Sequence, residues 1–219
     1  MKEFQFTDCI EIKELTGKKA NDEAELLELI EEASPDSIYF HTHSYFLRHF
    51  YIMGPYPSDF ANWIVMQVRD RVLGEKLSAL TPSGKQKIED VRSDLIEVID
   101  DHLSSIKTIP AVSFGQPFYL MKSKIIEIPT RLKAQNLKEF RDSLACVDAS
   151  AIYNHVFEAR LRGQKGRSDF SIWLEEVLGL SQLAQSIERI DAYMYGLEGL
   201  RKKILCLCDQ ELQEGGQYS

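Results

Sequence analysis

Ser37-Ile38-Tyr39-Phe40-His41 and Ala151-Ile152-Tyr153-Asn154-His155 are one string written twice, 114 residues apart. Leu47-Arg48 and Leu161-Arg162 keep that spacing. Ser58-Asp59-Phe60-Ala61-Asn62-Trp63-Ile64 then matches Ser168-Asp169-Phe170-Ser171-Ile172-Trp173-Leu174 at a spacing of 110, the first copy carrying four extra loop residues around Gly54-Pro55-Tyr56-Pro57. Val72-Leu73-Gly74 pairs with Val177-Leu178-Gly179, and Leu95, Ile99 and Leu103 fall on Ile204, Cys208 and Leu212. Both tryptophans occupy one repeat position. Self-similarity on this scale reads as a tandem duplication, and it governs how every other signal is assigned.

Each copy reads as one strand followed by about four helices. Phe4, Phe6, Ile10 and Ile12 alternate with mostly polar residues, a period-2 pattern for a half-buried strand, and Phe118, Leu120, Ile126 and Ile128 repeat it. Leu26, Leu27, Ile30 and Ala33, and in the second copy Leu137, Phe140, Leu144 and Val147, form the apolar stripes of a first helix. A second helix is expected over 37–50 and 150–161. A third opens on the N-cap pairs Ser58-Asp59 and Ser168-Asp169 and buries Phe170, Trp173, Leu174, Val177 and Leu178. A fourth carries Ile88, Val91, Leu95, Ile99 and Leu103. The fold class is therefore mostly α with minor β, an α+β pseudo-two-fold repeat: residues 1–107, a Pro- and Gly-bearing linker over 108–117, residues 118–213, and a frayed tail over 214–219. A lone strand leaves its backbone groups unpaired, so the two strands are expected to pair with each other and the copies to share one core.

Composition narrows the classes of function. The 219 residues carry 26 Lys and Arg against 34 Asp and Glu, a net charge of −8. Phosphate backbones and anionic lipid repel such a surface, so neither nucleic acid nor membrane is an expected partner. No apolar run approaches the roughly 20 residues that span a bilayer, and residues 1–8 lack the apolar core of a signal peptide. Cys9, Cys146, Cys206 and Cys208 show neither a disulfide framework nor metal-binding spacing, which fits reduced thiols in a cytoplasm.

The strings from Phe40 to His49 and from Tyr153 to Arg162, each followed by the Ser-Asp-Phe segment and its tryptophan, resemble an uncharacterised prokaryotic family of two-repeat proteins, catalogued as a domain of unknown function. The resemblance covers nearly the whole chain and implies one intact unit. It carries no catalytic or binding residues with it.

The chemistry-bearing residues gather on the second helix. His155, Glu158 and Arg162 share its polar stripe, and His41, Tyr45 and Arg48 occupy the corresponding stripe in the first copy. A composite site at the repeat interface would join His41 and His155 with Glu158 as weak catalytic or metal-binding candidates. Arg48 and Arg162, with the two histidines, would hold an anionic ligand. Against this, His41 and His43 point their rings about 160–200° apart on a helix, and one His-x-x-Glu pair does not complete a two-metal set. His43 aligns with Phe157 and should face the core. The competing expectation is that these side chains cap and bridge backbone. Tyr51, Met53 and Tyr56, in the extra loop of the first copy, are candidate contacts for a protein partner. No phosphate loop, nucleophile elbow or metalloprotease motif occurs.

Two function classes follow. The first is a non-catalytic interaction or regulatory protein that binds a protein partner or small ligand in the groove between its repeats. The second is an enzyme or a metal- or anion-binding protein using His41, His155, Glu158, Arg48 and Arg162. A homodimer is a third arrangement, and the sequence names no cofactor.

Overall fold

The computed structural model describes residues 2–49, 56–80, 87–112, 115–162 and 166–215. Two strands, β1 (Phe4–Ala20) and β2 (Phe118–Ala134), form a two-stranded antiparallel sheet, and the rest of the described structure is mostly helical. Both strands run well past the segment legible from alternation, and their faces change partway along. Phe4, Phe6 and Cys9 are buried, as are Phe118, Leu120 and Ser123. Phe6 and Cys9, like Leu120 and Ser123, stand on opposite sides of a period-2 strand, so the covered side changes along each strand. Ile10 and Ile12 (48% and 54% exposed) and Ile126 and Ile128 (43% and 42%) therefore point outward, not into a core as alternation predicts.

After β1 come α1 (Glu23–Glu32), α2 (Pro35–His41), α3 (Tyr45–Arg48), α4 (Asp59–Trp63), α5 (Arg71–Ser78) and α6 (Ile88–Ser105). After β2 come α7 (Leu137–Cys146), α8 (Ala149–Tyr153), α9 (Ala159–Arg162), α10 (Asp169–Glu176), α11 (Ser181–Glu188) and α12 (Leu197–Gly215). The expected four helices per copy are thus six α-helical segments among the described residues of each half. Two places account for the difference. The second predicted helix breaks after His41, where the Thr42 hydroxyl donates back to the Ile38 carbonyl (2.6 Å), while residues 149–162 stay helical through a π-turn at Asn154–Glu158. The third predicted helix ends at a left-handed residue, Arg69 (φ 70°) in one half and Gly179 (φ 72°) in the other. The chain restarts as α5 and α11, so Val177 and Leu178 are only half-buried, and the fourth residue of α5, Gly74, corresponds to the fourth residue of α11, Ala184, and not to Gly179.

N-caps behave as their sequence implies. Asp22, Ser58, Asn136 and Ser168 each accept a backbone N–H of the first turn of the helix they precede, an arrangement worth about 1 kcal/mol apiece. The tail read as frayed from 214 is helical as far as Gly215; residues 216–219 lie outside the described set.

The described residues fall into two compact units that do not follow chain order. One joins residues 2–10 and 49 to those from 125 onward; the other holds residues 11–48 and 56–124. In the first unit Phe4 packs its ring against Phe140, Phe170 and Trp173 with centroids 5.5–5.7 Å apart, and the Trp173 indole donates to the Lys2 carbonyl (2.9 Å). In the second, Phe118 stacks on Phe60 at 5.2 Å and meets Trp63 edge-on at 5.7 Å, and the Trp63 indole donates to the Gln116 carbonyl (2.8 Å). In each unit, then, the aromatic start of one strand is clamped by helices encoded far away in sequence.

Candidate functional site

His41 ends α2 within a cage of rings, its centroid 4.8 Å from Phe40, 5.2 Å from Phe60 and 4.7 Å from Phe118. Its Nε2 accepts the backbone N–H of Met121 on β2 (2.9 Å). That bond fixes the tautomer, so Nδ1 carries the hydrogen and donates to Asp59 Oδ2 (2.9 Å). Burial holds the imidazole below its ordinary pKa despite Asp59 pulling the other way. Arg48 closes the group. Its guanidinium donates to Asp59 (2.5 Å), to Ser44 Oγ (2.6 Å) and to the Phe40 carbonyl (2.9 Å), and lies 3.9 Å over the Phe40 ring. Glu11, on β1, lies 3.6 Å from Arg48 and accepts from Ser123 (2.8 Å).

His155 repeats the scheme in the other unit. Its Nε2 accepts from the Thr7 backbone on β1 (2.9 Å), and its Nδ1 donates to Asp169 Oδ2 (2.9 Å). Arg162 reaches Asp169 and Asn154 Oδ1 (both 3.3 Å) and pairs with Glu127. Asn154 in turn donates to the Thr7 carbonyl (3.1 Å). Both nitrogens of each imidazole are therefore occupied by groups of the chain itself, one of them a strand amide. A general base or metal ligand needs a free lone pair aimed at substrate or ion. Neither ring offers one. What the arrangement does is fasten a strand to the helices through a buried imidazole.

A second polar cluster lies within the unit of residues 11–48 and 56–124. Glu23 opens α1, Asp70 caps α5, and His102 sits in the last turn of α6. Glu23 is fully buried, and neither of its carboxylate oxygens has a hydrogen-bond partner. His102 is also buried, with Nε2 3.1 Å from Asp70 Oδ2 and 3.7 Å from Glu23 Oε2, and with Nδ1 unpartnered. Asp70 commits its other oxygen to the Leu73 amide (2.9 Å). One ligand atom from each residue lies within 4.8 Å of the other two. Burial, aided by the nearby carboxylates of Asp70 and Asp22, pushes Glu23 up to about 7.

The model of a family of unknown function, DUF5752, matches residues 1–209. The chain belongs to that family. It is similar to OrfY from the archaeon Thermoproteus tenax, a solved structure with 28% sequence identity and a TM-score of 0.79, the match covering 95% of each chain. No curated protein matches it.

The remaining residues singled out from sequence fall as follows in this DUF5752 chain. Glu158 is half-buried at the end of the π-turn and bears electrostatically on Tyr193. Tyr56 is partly buried against the core, and its carbonyl accepts from Asn62 (2.5 Å). Tyr51 and Met53 lie outside the described residues. His43 is fully buried, as its alignment with Phe157 implies. No helix among the described residues is long and apolar enough to cross a membrane. A surface groove of about 520 Å³, lined by Arg189, Met194, Tyr195, Lys203 and Gln210 among others, includes none of the residues chosen from sequence.

Two sets of residues escaped sequence reasoning. Asp59 and Asp169 read only as first-turn acids, yet each joins its histidine to its arginine. Glu23, Asp70 and His102 carry no motif because 47 and then 32 residues separate them. Their one signal is asymmetry: on the repeat register the second copy has Leu137, Leu180 and Glu211 there.

Proposed function

We propose that this chain is a non-catalytic interaction protein, built by duplication of one strand-and-helices unit, that offers the outward apolar side of its β-ribbon to a protein partner in the cytoplasm. The observation that carries the reading is the row of large apolar residues on the strands. Ile10, Ile126 and Ile128, within one unit, are 42–48% exposed, far more than strand residues with a buried role, while His41 and His155, weak candidates for chemistry from sequence, have both ring nitrogens held by the chain itself. Apolar side chains on an ordered, two-stranded element are a recurrent feature of contact surfaces. The paired His–Asp–Arg groups, with the same partners in each half, support the duplication. Four free cysteines support a reducing compartment.

The test uses the chain tagged in its own cells. Replacing both Ile126 and Ile128 by Lys should leave the melting temperature nearly unchanged, because these side chains are outside the core, and should remove the proteins that co-purify with the unaltered chain. The same proteins recovered with both forms would overturn the reading, as would turnover of any substrate that His155→Ala abolishes.

A further inference from the structure

We propose that Glu23, Asp70 and His102 form a binding site for one divalent first-row transition-metal ion.

The geometry is that of a ligand set drawn around a point. Metal–oxygen and metal–nitrogen bonds of about 2.0–2.2 Å place two ligands of one ion about 3–4.4 Å apart. His102 Nε2 stands 3.1 Å from Asp70 Oδ2, a hydrogen bond that the ion would replace with the imidazole hydrogen moved to the open Nδ1, and 3.7 Å from Glu23 Oε2. Two carboxylates and an imidazole suit zinc, manganese, iron(II) or cobalt, with water completing the shell; an all-oxygen set would favour magnesium or calcium.

The independent observation is Glu23. A carboxylate that is fully buried with both oxygens unpartnered is costly unless something positive faces it. Its neighbours in the cluster are a second carboxylate and an imidazole. Arg92 is not a substitute: it is committed to Glu89 and to the carbonyls of Ile30 and Glu31. The three side chains are delivered by three different helices, each near a terminus, so backbone hydrogen bonding fixes their positions whether or not an ion is present.

Folding does not demand this chemistry. On the register proposed above, α7 opens with the buried Leu137 where α1 opens with Glu23, α11 begins after Leu180 where α5 is capped by Asp70, and Glu211 stands where α6 has His102. The same helices assemble there around leucine, and leucine in place of Glu23 would relieve the burial of charge. A polar triad in one half alone is what a dedicated site looks like, and it differs in kind from the His–Asp–Arg bridges, which both halves carry.

The experiment takes the full chain, stripped with chelator and dialysed, and titrates Zn²⁺, Mn²⁺ and Co²⁺ by calorimetry, with visible absorption of the cobalt form and melting temperature as parallel readouts. One ion per chain is expected, with a dissociation constant in the micromolar range or below, cobalt d–d bands, and a rise in melting temperature. Glu23→Leu should fold, with a melting temperature in chelator at least equal to that of the unaltered chain, and should lose the metal-dependent rise; His102→Gln should weaken binding at least tenfold. Binding no tighter than millimolar for all three ions, or binding undiminished in Glu23→Leu, would overturn the proposal.

Discussion

His43 stacks on Tyr39 with ring centroids 5.9 Å apart, donates from Nδ1 to the Thr42 hydroxyl at 3.0 Å, and leaves Nε2 buried without a partner. Burial drives its pKa down to about 4 from the usual 6.5. Between those values the unfolded chain holds a proton that the folded chain refuses, so the unfolded state binds more protons and stability falls as pH drops from 6.5 toward 4, by about 3 kcal/mol in full. The other half has Phe157 in the equivalent stack, 5.3 Å from Tyr153. His43→Phe should therefore cut the loss of urea stability between pH 7.5 and pH 5 by about 2 kcal/mol, and equal losses in both proteins would contradict it. At this scale the self-similar strings made His41, His155, Arg48 and Arg162 legible, because both strings carry them. They hid Glu23, Asp70 and His102 for the same reason: what is shared draws attention, and these three are not. The donors to His41 and His155 were illegible too, since a backbone amide of Met121 or Thr7 leaves no mark in a residue pattern.

Helix boundaries are set by single residues whose conformation the pattern does not reveal. Arg69 adopts φ 70° after the π-turn at Ile64–Val68, with its N–H bonded to the Ile64 carbonyl at 2.8 Å. A side chain with a Cβ resists that conformation by roughly 1–2 kcal/mol. Gly179 occupies it freely in the other half. Arg69→Gly should therefore raise stability by up to about 1 kcal/mol, the gain being reduced by the extra freedom glycine gives the unfolded chain. Thermal unfolding measures it, and a lower midpoint would show that the arginine side chain contributes packing that outweighs its strain. The same boundary explains why Val72-Leu73-Gly74 was matched to Val177-Leu178-Gly179. The letters agree, but the first triplet lies in α5 and the second in the turn before α11. Caps at Ser58 and Ser168 were readable because the serine hydroxyl both marks and makes the helix start. Helix ends carried by an arginine were not, nor was the change of covered side in each strand that leaves Ile10, Ile12, Ile126 and Ile128 exposed.

The compact units group residues by packing, and packing joins residues 2–10 to helices beyond 136, and residues 115–124 to helices before 105. A fragment of residues 1–107 lacks Phe118, which stacks on Phe60, lacks the Gln116 carbonyl that takes the Trp63 indole, and lacks the Met121 amide bound by His41. A fragment of residues 11–124 has all three. Followed by Trp63 fluorescence in urea, 11–124 should unfold in a cooperative transition and 1–107 should not; a sharp transition of equal midpoint in 1–107 would refute the assignment. Sequence could locate the breaks at Pro110 and Pro117, because proline interrupts helix wherever it falls, but strand partnership is a matter of which apolar residues find which, over separations that no local pattern encodes. That exchange also has a cost in time. Phe4 and Phe6 leave the ribosome ahead of the rings of Phe140, Phe170 and Trp173, which pack against them and follow more than 130 residues later. At about 5–20 residues per second, the nascent chain carries two uncovered phenylalanines for roughly 7–35 s. During synthesis this segment is a hydrophobic tether awaiting helices made much later.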